Sequence, residues 1–460
     1  MTRHTEAVET LLRRGPQTAA SLAAAMDVSQ PTVSRALAAL GPRLVRIGRA
    51  RASRYALARP LGRAGSDWPL HRITPDGQPD RLGQLHALHG GWLLRSERSL
   101  PLYKHDEFSD GLYPDLPWFM DDLRPQGFLG RAFVQRHAAE LEAPADIALW
   151  QAEDVVTALL RRGSDLPGDL VLGEQALEQA LLDTMLDNLD TIIAPDERAR
   201  VYPQRALQAE EGEIAGSSAG GEQPKFTAEL ELPTGERQSV IVKFARNDPG
   251  NATARRWVNL LACEHLAGAV LSERGIPTAA TELIDSDGWR FLQSTRFDRT
   301  VQRGRRGIVS LHALDAAYAG SDPGNWPVSA VSLQREGLID NDDAERIRRL
   351  HLFGRFIGNT DMHFGNLSFY SEPERLQVVL APIYDMLPMH YRPSAGGAVH
   401  ERPYILPVPI DAMDSWRWAA DAALELWQRA RADKRIGPAF RAVAEGNAQR
   451  IEQLLRRFPG

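Results

Sequence analysis

The sequence predicts an α+β protein with a winged helix-turn-helix at its N-terminus and a two-lobed body behind it. Three observations carry this reading. Residues 5–40 hold three short helical stretches and are followed by two short apolar strands. Residues 225–300 alternate apolar strands with one long helical stretch. From Leu311 onward the apolar spacing is mostly that of helices. At 460 residues the chain is too long for one core, and roughly two to four domains are expected. The boundaries read as 1–60, 68–150, 151–300 and 301–460.

In the head, Thr5 to Arg14 carries apolar Ala7, Val8, Leu11 and Leu12. Ala19 to Met26 makes a second helix, and Gln30 to Leu40 a third, with Pro31 in its first turn. Gln30, Thr32, Ser34 and Arg35 are polar residues at the start of that third helix, where a helix-turn-helix meets base edges and phosphates. Leu44–Arg49 and Ser53–Leu57 read as the two strands of a wing, with Arg49 and Arg51 at its tip. A small helical docking module would share this layout, but the arginine density favours DNA.

Charge supports that reading. Residues 1–60 hold ten arginines and no lysine against Glu6, Glu9 and Asp27, a net +7. The whole chain is −6, so the remaining 400 residues sum to −13. A basic head on an acidic body points to nucleic acid as the head's partner. No apolar run approaches the roughly 20 residues of a membrane span, and no membrane partner is expected. Met1 to Glu9 lacks the apolar core of a signal peptide. The single cysteine, Cys263, excludes an intramolecular disulfide and reads as a core residue. A cytoplasmic protein follows.

Residues 58–75 mix Pro, Gly and Arg without periodicity and read as a linker. Short strands follow at 82–88 and 91–94. Lys104 to Asp115 is rich in acids, but its spacing is not that of a calcium loop, and a solvated loop is the better reading. Helical spacing returns at 117–163 and 174–193.

Gly216 to Phe226 reads Gly-Ser-Ser-Ala-Gly-Gly-Glu-Gln-Pro-Lys-Phe. Small residues let backbone amides close on phosphates, and a lysine adds a point charge. The stretch is neither a Walker loop nor G-x-G-x-x-G, and alone it reads equally as a hairpin turn. Strands on both sides strengthen it: Lys225 to Leu232, then Gln238 to Ala245, which contains Val-Ile-Val-Lys ending at Lys243. A lysine in an apolar strand is costly unless its ammonium is paired. Only four lysines occur in the chain against 50 arginines, and two of them, Lys225 and Lys243, fall here. A lysine kept in so arginine-rich a chain points to a site that needs a compact ammonium. In the helix at 252–272, Glu264 is either the partner of Lys243 or a solvated helix residue.

The chemistry converges on Gly358 to Phe369, whose core reads N-x-D-x-H-x-x-N. Asp361 and Asn366 keep the Asp-to-Asn interval of protein-kinase catalytic loops, and Asp385 ends the next apolar run, where a metal-binding Asp belongs. An Asx turn is the bland alternative for the first pair.

Taken together, Ser217–Lys225, Val240–Phe244, Arg296–Arg299, Asn359–Asn366 and Ala381–Asp385 resemble the HipA-like serine/threonine kinase toxins. Leu116–Gly127 is similar to the N-terminal subdomain of that family. A helix-turn-helix in the same chain resembles its YjjJ-type branch. The resemblance implies a two-lobed protein-kinase-like fold, ATP and Mg2+ as cofactors, a protein substrate and an antitoxin partner. By the resemblance, Ala219, Gly220, Gly221, Glu222, Gln223 and Lys225 cradle phosphates, and Lys243 grips them. Thr295, Arg296 and Phe297 form the adenine hinge, although Thr295 stands where Glu is common. His363 and Asn366 line the nucleotide site, Asn366 and Asp385 hold metal, and Asp361 is the catalytic base. Ser217 or Ser218 is the autophosphorylated residue. Family substrates include aminoacyl-tRNA synthetases, which makes translation arrest the implied outcome. One helix-turn-helix per chain implies a homodimer on DNA. The rival readings are a DNA-binding regulator whose body senses ATP without transferring phosphate, and a nuclease with metal held by Asp361, His363 and Asp385.

Overall fold

A computed structural model describes residues 2–48, 53–185, 192–211, 223–322, 324–409 and 412–459. Arg49, Arg51 and the stretch Ser217–Glu222 lie outside the described residues.

The head comprises α1 (Arg3–Leu12), β1 (Gln17–Thr18), α2 (Ala19–Met26), α3 (Gln30–Ala38), β2 (Leu44–Ile47) and β3 (Arg54–Leu57). Thr2 and Thr18 cap α1 and α2 through side-chain oxygens. Asp27, at φ 52°, turns the chain from α2 to α3 in a left-handed conformation that Asp tolerates. Val8, Leu12, Leu22, Val33 and Leu37 close the core beneath a β1-β3-β2 sheet. Gln30, Ser34 and Arg35 are exposed on α3 and Thr32 is half-buried, its hydroxyl 3.0 Å from that of Ser29.

Residues 58–75 are not a free linker. Ala58 bridges to Leu88, the amide of Arg59 donates to the carbonyl of Ala87, and the amide of His89 donates to that of Leu57. Val45, Ile47 and Ala56 of the wing pack on Leu88 and Leu93 in one apolar cluster. Ion pairs Arg54–Asp110 and Arg59–Glu153 flank it. Gly90 sits at φ 80°, and a Cβ there would lie 2.7 Å from the Cα of Gly15. Two glycines thus let the backbones touch. The acidic loop at 104–115 docks the head through Asp110.

The middle unit is a five-stranded antiparallel sheet of β4 (Asp67–Ile73), β5 (Pro79–Leu88), β6 (Gly91–Arg95), β7 (Leu112–Tyr113) and β8 (Leu170–Leu172), in the order β7-β6-β5-β4-β8. It carries α4 (Gly127–Leu141), α5 (Ala152–Arg162) and α6 (Glu174–Met185). The return of β8 to pair with β4 carries this unit past residue 150, where the sequence suggested a boundary. Trp118, Phe119, Met120 and Leu123 are buried, and Asp122 accepts bonds from the amide and hydroxyl of Ser310, both at 2.6 Å. Leu116–Gly127 is therefore the clasp between the middle unit and the lower lobe.

The upper lobe contains β9 (Ile192–Ile193), α7 (Arg198–Glu211), β10 (Lys225–Glu231), β11 (Arg237–Arg246), α8 (Ala252–Glu273), β12 (Thr281–Ser286) and β13 (Trp289–Thr295). Its sheet runs β12-β13-β11-β10-β9. Alternation sorts the faces. Val240, Val242 and Phe244 pack toward Tyr202 and Ala206 of α7, while Ala245 and Leu292 pack toward Val258 and Leu261 of α8. Cys263 is fully buried in the core, and burial pushes its thiol up.

The lower lobe holds β14 (Ile308–Ser310), α9 (Leu311–Tyr318), α10 (Trp326–Arg335), α11 (Asn341–Ile357), β15 (Ser368–Tyr370), β16 (Val379–Leu380), α12 (Met413–Ala432) and α13 (Pro438–Arg457). Trp416 and Trp427 are buried in its core, whereas Trp418 and Leu424 are only half-buried. Among the described residues no helix is long and apolar enough to cross a membrane.

Candidate active site

The site begins where α11 stops. Gly358 takes φ 75°, its amide donates to Arg355, and the amide of Asn359 donates to Gly354 at 2.8 Å. This is a Schellman closure, which needs a left-handed residue at position 358. A Cβ there would also lie 2.8 Å from the Tyr404 ring. The chain is thereby turned sharply into the loop that carries Asp361.

Side chains then build the loop. The Oδ1 of Asn359 accepts the amide of Asp361 at 3.0 Å. The Nδ2 of Asn366 donates to the carbonyl of Asp361 at 2.6 Å. This bond spans the five-residue interval and turns the Oδ1 of Asn366 the other way. His363 is exposed, and its Nδ1 accepts the amide of Gly365 at 3.1 Å, capping the short turn at Phe364–Asn366. Its shown role is local capping.

The strand that brings Asp385 is pinned to the same loop. The hydroxyl of Tyr384 donates to the carbonyl of Gly365 at 2.9 Å and lies 2.7 Å from the hydroxyl of Ser368. Asn359 donates to the carbonyl of Asp385 at 3.4 Å. Asp385 itself stands at φ 56°, a conformation that Asp adopts more readily than most residues.

Lys243 closes the constellation from above. Its ammonium bonds to Glu264 at 2.6 Å and to Asp385. Burial alone would push the ammonium down, but the carboxylates of Asp385 and Glu264 outweigh it and hold it charged. Burial also works against the Asp385 carboxylate, yet Lys243 and then Lys225 pull it down to about 2. Burial raises Glu264, with Lys243 opposing. Of the two readings of Glu264, the structure selects the partner of Lys243: the residue is 7% exposed.

Lys225 stands directly opposite Lys243 in the antiparallel register of β10 and β11. Direct partners share a face, so both lysines point toward the two carboxylates. Two like charges so placed repel unless anions lie between them, and Glu264 and Asp385 supply these.

Other expected site residues are placed differently. Gln223 donates its amide to the carbonyl of Phe244 at 2.5 Å, which ties the end of the small-residue loop to β11. Arg296, expected at the adenine, is buried with its guanidinium bonded to Asp165 and Asp298. An arginine side chain is kept in a buried site by carboxylates, and two are present; the adenine contact expected at residues 295–297 is one of backbone groups. The backbone amides of Thr295 and Arg296 donate to Ala280 and Ser239 and so extend the sheet. Phe297 remains beside the site, its ring 5.8 Å from that of Tyr384.

Among the described residues no three His, Cys, Asp or Glu side chains converge as a metal nest. Asp361, His363 and Asp385 therefore do not form the nuclease-type cluster weighed above. Asn366 and Asp385 fit the sparser arrangement of Mg2+ sites, in which one or two side chains share the ion with water and phosphate oxygens.

Comparison with known proteins decides the family. The chain is 37% identical over 447 residues to Toxin YjjJ of Escherichia coli strain K12, covering 96% of this chain and 97% of that one. This chain belongs to the YjjJ-like branch of the HipA-like toxins. Family models agree along its length: a YjjJ-like toxin middle domain matches residues 64–181, and a HipA-like C-terminal domain matches 217–457. A helix-turn-helix model of the bacterial regulatory protein arsR family matches 10–41. Two solved structures are also similar. One is HipA of Shewanella oneidensis MR-1 in its complex with HipB and operator DNA, at 14% identity and TM-score 0.47, covering 84% of this chain and 97% of that chain. The other is the Helicobacter pylori proinflammatory kinase CtkA, at 11% identity and TM-score 0.34, covering 50% and 90%. In this YjjJ-like toxin the middle-domain match, like β8, runs past residue 150. The HipA-like match spans every residue of the lysine–carboxylate constellation.

Sequence reasoning assigned no role to Asn359, although it opens the N-x-D-x-H-x-x-N motif. Its position two residues before the Asp was the available signal, since an Asn there can accept the amide two residues on.

Proposed function

We infer that this toxin-family protein is an ATP- and Mg2+-dependent serine/threonine protein kinase whose N-terminal domain binds DNA. The observation that carries the reading is the buried ammonium of Lys243, bonded at once to Glu264 on α8 and to Asp385 beside the catalytic loop. A lysine shared by a helix carboxylate and a metal-site carboxylate is poised to exchange one of them for phosphate.

In the transfer, the hydroxyl oxygen of a substrate serine forms a bond to the γ-phosphorus while the bond to the ADP oxygen breaks. Asp361 accepts the hydroxyl proton. Lys243 and Lys225 neutralise phosphate oxygens, and Glu264 keeps Lys243 in place. Asn366 and Asp385 are the side chains that would hold a Mg2+ ion, which would supply charge neutralisation to the phosphates. Positioning and charge neutralisation are what phosphoryl transfer chiefly requires.

Ser217 and Ser218 adjoin this site in sequence, and one of them is the proposed autophosphorylation residue. A phosphate there adds roughly −1.5 to −2 charges where ATP phosphates must bind. The proposed partners are a protein substrate such as an aminoacyl-tRNA synthetase, an antitoxin, and operator DNA met by Gln30, Thr32, Ser34, Arg35, Arg49 and Arg51 of a homodimer.

Incubation of the purified chain with radiolabelled ATP and Mg2+, followed by mass spectrometry, tests the reading. Phosphate on Ser217 or Ser218 in the wild type and none in Asp361→Asn is expected. Absence of labelling in the wild type, alone and with candidate synthetases, would refute the kinase assignment.

A further inference from the structure

A cavity of about 690 Å³ lies between the middle unit, the upper-lobe sheet and the turn that follows β13. Its volume is that of a small-molecule site. Ser239 and Arg237 line it from β11. They share the face of Lys243, because residues two apart on a strand point the same way. Four residues at about 3.3 Å each put Ser239 roughly 13 Å from Lys243 along the strand.

The wall is held rigidly. Residues 299–305 form a tight hairpin, with Arg299 bridged to Arg305 and the amide of Thr300 donating to Gly304 at 3.0 Å. The hydroxyl of Thr300 donates to the carbonyl of Pro75, and the amide of Arg305 donates to that of Thr74. The cavity is thus framed by a clasp between two structural units.

The clasp concentrates buried charge. Asp165 and Asp298 both pair with Arg296 and Arg299. Among the described residues Arg305 has no carboxylate at ion-pair distance, although Asp165 and Asp298 act on it from further off. It is 6% exposed, one terminal nitrogen donates to the carbonyl of Ser164, and among the described residues its Nη1 has no hydrogen-bond partner. Arg237, paired with Glu231 at 3.3 Å, also lines the cavity, as do Arg299 and Arg303 and the acids Asp165, Asp183 and Glu229. Of those acids, Asp165 is already paired, Asp183 accepts from Gln179 at 2.6 Å, and burial pushes Glu229 up. Burial, with Arg299 beside it, pulls the Arg305 guanidinium down to about 9. A buried cation with an unmade hydrogen bond is costly, and an oxyanion removes both costs.

We propose that this cavity binds a small phosphate-bearing ligand, with Arg305 as its central cation. The planar guanidinium suits a phosphate monoester, whether free inorganic phosphate or a phosphorylated sugar. A ligand seated here joins the middle unit to the upper lobe. The proposal is independent of the kinase reading, because it uses none of the residues assigned to ATP.

The test is a titration of the full chain with inorganic phosphate, and separately with a sugar phosphate, at constant ionic strength set by chloride. Melting temperature and calorimetry report binding. Saturable binding is expected in the wild type and in Lys225→Met, with Kd raised at least tenfold in Arg305→Leu. Gln179→Glu, an exposed change that adds a carboxylate to the wall, should weaken binding as well and guards against misfolding of the Arg305 variant. Tighter binding of the sugar phosphate would mean that the rest of the cavity contributes; equal binding would mean the ion alone is recognised. Loss in Lys225→Met with retention in Gln179→Glu would assign the phosphate to the lysine site and overturn the proposal. So would the absence of saturable binding.

Discussion

Asn359 holds Asp385 by its backbone carbonyl, at 3.4 Å, while its other amide atom accepts the amide of Asp361, at 3.0 Å. One buried side chain therefore fixes the spacing of the proposed base and the proposed metal ligand. Asn359→Ala should lower kcat about a hundredfold, the effect of an ångström-scale misplacement, with a smaller change in nucleotide affinity. Steady-state kinetics alongside nucleotide titration separates the two. Wild-type kcat in that variant would remove Asn359 from the machinery.

Asp361→Asn should keep nucleotide binding and lower transfer roughly 10²–10⁴-fold, because it removes a proton acceptor and leaves Lys243, Asn366 and Asp385 in place. Asp385→Asn should instead weaken Mg2+-dependent nucleotide binding. Equal effects of the two substitutions on nucleotide affinity would contradict the division of roles.

Lys243→Met would leave Glu264 and Asp385 facing each other without their cation. Breaking a buried pair costs about 3–5 kcal/mol, and Asp385, at 28% side-chain exposure, puts this case toward the lower end. Lys243→Arg is not a mild alternative: an added guanidinium in a filled site costs about 1–3 kcal/mol. Urea melts of both variants check the order.

Asp169 predicts a pH dependence. It is 6% exposed, and burial pushes its carboxyl up to about 7. The folded value exceeds the unfolded one, near 3.8. Its contribution is therefore complete below about pH 4 and is lost as pH rises through 7. Asp169→Asn should raise the melting temperature at pH 8 relative to the wild type and leave it nearly unchanged at pH 4. An equal shift at both pH values would disprove the linkage.

Removing residues 1–60 should destabilise the body, because Leu88 and Leu93 lose their apolar cover. Each buried leucine is worth about 1.5–3 kcal/mol. A lower melting temperature of the truncated chain is the expected result. DNA binding is better tested by Gln30→Ala and Arg35→Ala in the intact chain, since both side chains are exposed on α3. These should reduce operator retardation without moving the melting temperature.

The loop that carries Asp361 was legible in sequence because its geometry is local. Asp361 and Asn366 are joined by one bond across five residues, and Gly358 marks the helix end. Lys243 was legible because a lysine among Val and Ile demands a partner. Glu264 could not be separated from a solvated residue, since the choice depends on Asp385, which lies more than a hundred positions away. The pairing of β4 with β8 has the same character. The partners of the Arg296 guanidinium were not legible, because a charged turn after a strand looks alike whether its guanidinium meets a ligand or Asp165. The docking of the head escaped notice because Ala58 and Leu88 have no signature as a bridge.

That bridge has a mechanical consequence. A head fused to the body's sheet cannot swivel, so whatever orients α3 also orients Asp361. Two copies seated on half-sites about 34–36 Å apart would hold their Asp361 loops at a separation dictated by the operator. Inserting five base pairs would rotate one body to the opposite side of the duplex, and phosphorylation between neighbours would then depend on helical phase.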